Sequence, residues 1–103
     1  MANKLSGMIG LCEKAGKLSS GEFSCEKSIK KGLAKLVILS SDASANTRKH
    51  FEDMCSYRKI AIITLDNSRE ELGHMAGKQE RAVLSVDDGG FAQGILKIAE
   101  GSK

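Results

Sequence analysis

Hydrophobic residues along this chain follow helical spacing in some segments and form short continuous runs in others. Leu5, Met8, Ile9 and Cys12 recur at i, i+3, i+4 and i+7. This spacing predicts a first helix of about three turns, which residues 15–16 would end because the second of them is glycine.

Four further helices are predicted by similar apolar stripes. The second opens at Ser19 or Ser20, where Ser19 and Glu22 have the spacing of a capping box, and it stops at Gly32. Ser44 or Asn46 caps the third helix, which ends near residues 57–58. The fourth covers residues 68–75, with capping-box spacing between its first and fourth positions. The closing helix has an apolar stripe that begins at residue 91.

Short apolar runs between these helices predict four strands, near residues 17–20, 35–40, 60–65 and 82–86. Strands alternating with helices through short linkers are typical of the α/β class. We therefore expect a three-layer α/β/α sandwich with a small mixed four-stranded sheet, as one domain over residues 1–103. Its inner strands should be mainly parallel, with antiparallel pairing possible where the strand near Leu18 joins.

Composition narrows the class of protein. Hydrophobic residues at 41% and charged residues at 28% exclude a disordered chain, and no apolar run approaches the roughly 20 residues of a membrane span. The first residues do not read as a signal peptide, so we expect a cytoplasmic, membrane-free protein. Three cysteines without a C-x-x-C pair indicate reduced, buried thiols.

The charge is unevenly distributed along the chain. Residues 1–50 hold nine Lys/Arg and four Asp/Glu, whereas residues 51–103 hold seven and nine. This asymmetry indicates a basic face, built from the first half, that a polyanion can use. A solvated helix face explains the same charges equally well.

Catalytic and metal-binding motifs have little support. The glycines before Lys17 and those at 89–94 lack the spacing of a phosphate-binding loop. His50 and Asp53 are two candidate ligands on one helical face, too few for a zinc site. The cysteines fall on apolar stripes, and the adjacent acids Asp87 and Asp88 should diverge. We expect no catalytic residues, no metal and no cofactor.

The most informative segment is 16–32, in which a basic strand end leads into a helix start. A helix N-terminus offers unpaired N–H groups and positive potential, which suit a phosphate. Gly21 would let a nucleic-acid backbone approach closely, and Ser24 and Lys27 would project from one face. From the residues alone, RNA or DNA binding and a plain capped helix are about equally supported.

Several segments in this order and spacing resemble a known family, namely residues 15–18, 20–32, 34–39, 41–44, 46–49 and 71–73. The chain is similar to the ribosomal-protein family of kink-turn RNA binders, the L seven Ae / L thirty e group, and within it to the small bacterial YlxQ-type branch. The resemblance covers residues 5–99. It implies an α/β/α sandwich that binds a kink-turn, a sharply bent RNA helix with tandem sheared G·A pairs.

Family members read those pairs through a pattern like G-x-N-E-x-x-K at the start of the second helix. Gly21 and Lys27 match its glycine and lysine, while Phe23 and Ser24 replace its asparagine and glutamate. Phenylalanine cannot replace the lost base-edge hydrogen bonds, each worth about 1–3 kcal/mol of discrimination as a bidentate pair. We expect Phe23 to turn inward, although stacking on a base is the alternative.

The resemblance also implies a second RNA contact from loop 78–83. In that loop Arg81 would contact a phosphate or a base, or it would stay solvated. A weaker contact would come from Ser41 and Asp42 on the same rim. The complete predicted RNA-binding set is Lys17, Ser20, Gly21, Phe23, Ser24, Lys27, Lys30, Lys31, Ser41, Asp42, Lys78, Arg81, Ala82 and Val83.

The functional hypothesis is a monomeric, non-catalytic module for kink-turn or kink-turn-like RNA, either ribosomal or riboswitch RNA, with the ribosome as a further candidate partner. One alternative is a translation-associated protein-interaction module with only non-specific RNA affinity, which the departures at Phe23 and Ser24 favour. The other is a small enzyme with a cysteine nucleophile, for which rapid labelling of one thiol would be the evidence.

Overall fold

The computed structural model describes residues 4–101, so residues 1–3 and 102–103 of the predicted domain lie outside it. Within these described residues the chain forms five helices: α1 (Lys4–Lys14), α2 (Glu22–Lys30), α3 (Ala45–Arg58), α4 (Arg69–Met75) and α5 (Gly89–Gly101). Four strands lie between them: β1 (Leu18–Ser20), β2 (Leu36–Leu39), β3 (Ala61–Thr64) and β4 (Val83–Val86). The predicted succession of helices and strands is confirmed.

The four strands form one mixed sheet in the order β1-β4-β2-β3. Only β2 and β3 are parallel, since β4 runs antiparallel to both β1 and β2. The expectation of mainly parallel inner strands is therefore wrong. Helix α4 has seven residues, roughly 10 Å, and the chain after it brings Ala82 beside Ser40 at the end of β2. Because β4 starts where β2 ends, the two strands run in opposite directions.

The helices cover both faces of the sheet, which confirms the three-layer sandwich. Strand β2 is buried on both sides, so its side chains alternate between two cores. Leu36 and Ile38 pack with residues of α1, α4 and α5, whereas Val37 and Leu39 pack with residues of α2 and α3. Helix α2 thus lies in the same layer as α3, over β4 and β1.

Local capping is confirmed in two helices and contradicted in one. Ser44 caps α3, and Ser68 with Glu71 forms the predicted capping box of α4. The predicted start of α2 at Ser19 or Ser20 is wrong, because both serines belong to β1 and Ser19 pairs with Ser85 of β4. Sheet pairing places Ser19 outside the helix, where it cannot form the capping box with Glu22.

Candidate nucleic-acid interface

Helix α2 begins at Gly21, directly after β1. Gly21 has φ 87° and ψ 161°, a backbone conformation that side chains with a Cβ rarely adopt. Its N–H donates to the Val83 carbonyl at 3.0 Å, which holds the turn against β4. No side chain of residues 4–101 caps this helix start. The first-turn N–H groups of α2 therefore lack the side-chain acceptor that α3 and α4 have.

Phe23 projects from the first turn of α2 with 81% of its surface exposed, so the expectation that it turns inward is wrong. Helix α2 buries Cys25, Ser28 and Ile29. Those three positions define the core-facing stripe, and Phe23 lies off it. Ser24 is exposed as well. Together Phe23 and Ser24 form a ridge, because both line the two grooves on either side.

The first groove, here called the Gly21 groove, has a volume of about 400 Å³ and lies between the start of α2 and the end of the loop before β4. Arg81 lines it, and its Nε donates to the Ser20 hydroxyl at 3.4 Å. A Cβ built on Gly21 would lie 3.7 Å from the Arg81 side chain. Ser20, Arg81 and Ala82, which belong to the predicted RNA-binding set, thus lie together at the helix start. Glu22 and Glu80 also line this groove.

Arg69 also lines the Gly21 groove, although sequence reasoning missed it. Asp42 accepts a hydrogen bond of 2.9 Å from the Arg69 N–H and lies 3.7 Å from its guanidinium. Burial by itself raises the pKa of Asp42, but hydrogen bonds to the carboxylate and the Arg69 charge outweigh this, so the pKa is lowered. Asp42 therefore orients a groove cation, and Ser41 donates to the Asn67 carbonyl beside it.

The second groove, here called the Lys27 groove, has a volume of about 310 Å³ on the other side of the ridge. Lys27 and Lys31, one helical turn apart, both line it and are exposed. Neither lysine forms an ion pair with another described residue. Lys27 and Lys31 therefore lie together on one side of the ridge, and Lys27 shares this groove with Ser24, as the helical spacing predicted.

One carboxylate and three serine hydroxyls, here called the Asp87 cluster, lie at the floor of the Lys27 groove. Asp87 accepts hydrogen bonds from the hydroxyls of Ser19 at 2.7 Å, Ser28 at 2.5 Å and Ser85 at 2.8 Å. The three serines belong to β1, α2 and β4, so one side chain ties all three elements together. Asp88 instead accepts from the Phe91 N–H at the start of α5, which confirms that the adjacent acids diverge. The role of Asp87 was not visible in the sequence.

The remaining predicted residues lie elsewhere. Lys30 lies 3.8 Å from Glu26, and Lys78 lies 3.7 Å from Glu13 of α1. Val83 is the first residue of β4, fully buried under α2, so its side chain cannot contact a ligand. Lys17 is exposed beside the Asp87 backbone but lines neither groove.

A polar link also joins the start of α2 to the start of α3. The Thr47 hydroxyl donates to the Glu22 carboxylate at 3.0 Å and accepts from the Ser44 hydroxyl at 3.0 Å. Glu22 therefore has a structural partner, although it places negative charge at the edge of the Gly21 groove.

The three thiols are buried in the two cores. Burial raises the pKa of Cys12 to about 11, with a smaller contribution from the charge of Asp87. Burial also raises the pKa of Cys55 to about 11. Burial, followed by the charge of Asp87, also raises the pKa of Cys25. Thiols in this state are poor nucleophiles, because the thiolate is the reactive form.

Alkylation of the native protein should therefore be slow at all three cysteines. A pKa two units above the ordinary value of 9.0 leaves about a hundredfold less thiolate at about pH 8, and burial slows access further. We expect native labelling by iodoacetamide to be at least about a hundredfold slower than labelling in urea, as followed by mass spectrometry. If one cysteine reacted as fast in the native protein as it does in urea, that result would support the enzyme alternative.

Within residues 4–101, no three His, Cys, Asp or Glu side chains converge as a metal site would require. His50 instead lies 3.1 Å from Glu26, and Asp53 pairs with Lys49. The helices of this same part of the chain are too short or too polar to cross a bilayer.

The fold and this surface together define an α/β/α sandwich in which a helix start without a side-chain cap lies between two grooves that contain cations. Residues 3–95 match the model of the Ribosomal protein L7Ae/L30e/S12e/Gadd45 family, and the chain belongs to this family. The resemblance seen in the sequence is confirmed.

Individual relatives agree with this assignment over nearly their whole length. The chain is 40% identical over 93 residues to the RNA-binding protein YlxQ of Bacillus subtilis, and this alignment covers 90% of this chain and 92% of that protein. It is 38% identical over 98 residues to the protein of the same name from Enterococcus faecium, covering 95% and 93%. The structure of a protein of unknown function from Bacillus halodurans, 35% identical, superimposes with a TM-score of 0.90 and covers 96% and 99%.

Proposed function

We propose that this protein is a non-catalytic RNA-binding module that recognises kink-turn or kink-turn-like RNA. The RNA would be ribosomal or riboswitch RNA, and the protein would bind it in the cytoplasm as a monomer. The observation that carries the proposal is the exposed ridge of Phe23 and Ser24 between two grooves that contain cations. Membership in a family with RNA-binding relatives supports the same conclusion.

The start of α2 would position the RNA backbone. Its uncapped N–H groups and the positive end of the helix dipole favour a phosphate, and Gly21 has no side chain to keep the backbone away. Arg69 and Arg81 would add charge on one side of this contact, and Lys27 and Lys31 on the other. These contacts fix register on the RNA without reading its sequence.

Phe23 and Ser24 would face the bases. The family pattern has hydrogen-bonding side chains at these two positions, so Phe23 must act in another way. An exposed aromatic ring beside cations suits stacking on an unpaired base, a contact worth about 1–3 kcal/mol. Ser24 can make one hydrogen bond to a base edge or a ribose. The chain would then recognise the bent RNA by stacking and charge, with weaker reading of the G·A pairs.

A second candidate function is a translation-associated protein-interaction module with only non-specific RNA affinity. The exposure of Phe23 favours it too, because a large exposed aromatic side chain can anchor a protein partner. The two candidate functions predict different RNA binding. The affinity of a kink-turn module depends on the G·A pairs, whereas the non-specific RNA affinity of a protein-interaction module does not.

The deciding experiment is a titration against a kink-turn RNA and against a copy whose G·A pairs are replaced, both at the same salt concentration because phosphate contacts are salt-dependent. Tighter binding to the intact RNA supports kink-turn recognition. Equal, weak binding to both would contradict it and favour the interaction module.

Lys27→Ala should weaken binding to the intact kink-turn RNA by about 1–2 kcal/mol, because Lys27 is an exposed, unpaired cation beside Ser24. The salt dependence of the affinity should become shallower by about one phosphate contact. Lys97→Ala is the matched control, since Lys97 is an exposed lysine of α5 on the opposite face of the sheet. Equal losses in the two variants would exclude this face as the binding site.

A further inference from the structure

A second basic surface lies at the other end of α2, defined by Lys35, Arg58 and Lys59. These residues line a groove of about 470 Å³ between the C-terminal ends of α2 and α3 and the region where β2 and β3 begin. We propose that this surface binds phosphates of an RNA stem that continues beyond the kink-turn contact. The inference rests on the proposed function and extends it to a second RNA-binding site.

The three cations come from two segments of the chain, and no carboxylate pairs with them among the described residues. Lys35 precedes β2, Arg58 ends α3, and Lys59 follows it. None of them forms an ion pair with any other residue in the described part of the chain. The apolar and small residues around them, such as Gly32 and Ala34, leave the groove without a carboxylate in its lining. Such a groove has the charge of a phosphate-binding surface.

A side-chain hydrogen bond within the described chain accounts for only one of the three cations, and Arg58 and Lys59 also lie at the C-terminal end of α3, whose dipole favours positive charge. Arg58 donates to the Ile29 carbonyl at 3.4 Å, near the C-terminal end of α2. Lys35 makes its hydrogen bond through its backbone N–H, to the Val86 carbonyl, while its side chain is exposed. The side chain of Lys59 has no hydrogen bond or ion pair to another described residue either.

Lys59 occupies a position that usually holds glycine. It is the non-glycine residue with positive φ in the described chain, at φ 58° and ψ 45°. The N–H groups of Lys59 and Ile60 donate to the last carbonyls of α3, and glycine would make the first of these bonds with less strain. A lysine at this position is therefore less stable than a glycine would be, but it adds a positive charge to the second basic surface.

The two surfaces are close enough for one RNA molecule. Helix α2 has nine residues, so its ends are roughly 13 Å apart, a distance that a single RNA stem can span. Lys31 lines the Lys27 groove, and Gly32, the next residue, lines the second basic surface. The Lys27 groove and the second basic surface therefore adjoin at these two consecutive residues.

The test compares two RNAs that contain the same kink-turn, one minimal and one with a stem extended by about one helical turn. In the variant Lys35→Gln/Lys59→Gly, affinity for the extended RNA should fall about three- to tenfold, with a salt slope shallower by about one to two. Affinity for the minimal RNA should be unchanged. The thermal midpoint should be at least as high as that of the wild type, because glycine suits the positive φ.

The matched control is Lys14→Gln/Lys97→Gln, which removes the same charge from α1 and α5 on the opposite face of the sheet. Equal losses in both variants, or no loss in either, would overturn the second surface. The proposed function would still stand if the wild type kept its preference for intact G·A pairs in the minimal RNA. A wild type without that preference would overturn the proposed function, and this inference with it.

Discussion

Gly73→Ala is expected to lower the free energy of unfolding by about 3 kcal/mol, at the upper end of what overpacking costs. Gly73 is buried in α4, where a Cβ would overlap the Gln79 carbonyl oxygen and lie 2.6 Å from its carbonyl carbon and 2.9 Å from the Glu80 Cα. These are backbone atoms, so no rotation of a side chain relieves the contact. The loop would have to move away from α4.

The displaced loop also carries Arg81, whose N–H donates to the Arg69 carbonyl at 3.0 Å. RNA affinity should therefore fall even under conditions in which the variant is fully folded. Urea denaturation followed by circular dichroism measures the stability, and a titration at low urea measures the affinity.

Gly7→Ala is the control, because Gly7 lies in α1 with nothing within 4 Å of an added Cβ. Alanine should raise stability there by about 0.5–1 kcal/mol through its helix propensity. Similar effects of the two substitutions, whether in sign or in size, would refute the backbone contact at Gly73.

Asp87→Ala should lower the free energy of unfolding by about 3 kcal/mol as well. The substitution removes the acceptor of three serine hydroxyls, of which Ser28 and Ser85 are buried, and a buried polar group left without its partner costs about 1–3 kcal/mol. It also releases α2 from β1 and β4, the elements that set the position of the ridge. Chemical denaturation of the purified variant measures the loss.

Two comparisons isolate this effect. Asp88→Ala removes one hydrogen bond at the start of α5 and should cost only about 1 kcal/mol. Ser28→Ala should cost less in the Asp87→Ala background than in the wild type, since the two side chains share one interaction. Additive losses from Ser28 and Asp87, or equal losses from Asp87 and Asp88, would show that the cluster does not hold the elements together.

Features that depend on nearby residues were predictable. The stripe in α1, the capping box of Ser68 and Glu71, and the glycine stop after α2 are short-range patterns, and each formed as expected. The family resemblance was also readable, because it lies in the order and spacing of short segments. The helical spacing of Ser24 and Lys27 was enough to predict that their side chains project from one face of α2.

Features that depend on distant residues were not predictable. The spacing of Ser19 and Glu22 satisfied a capping-box pattern, but pairing with Ser85 across the sheet placed Ser19 in a strand. The direction of β4 depends on where the loop after α4 delivers the chain, which no local pattern encodes. The outward direction of Phe23 depends on which side of α2 packs on β4, and that is a property of the assembled layers.

The sequence by itself determined the class of fold, the order of its elements and the segment in which RNA is proposed to bind, residues 16–32, because periodicity and glycines act over a few residues. Only the tertiary structure decided which charges meet there. It brought Arg69 and Arg81 to the Gly21 groove, paired Lys30 and Lys78 with carboxylates away from both grooves, and placed Asp87 under three serines. Whether a charged side chain is free, paired or buried depends on neighbours supplied by other elements, and these are fixed only when the layers pack.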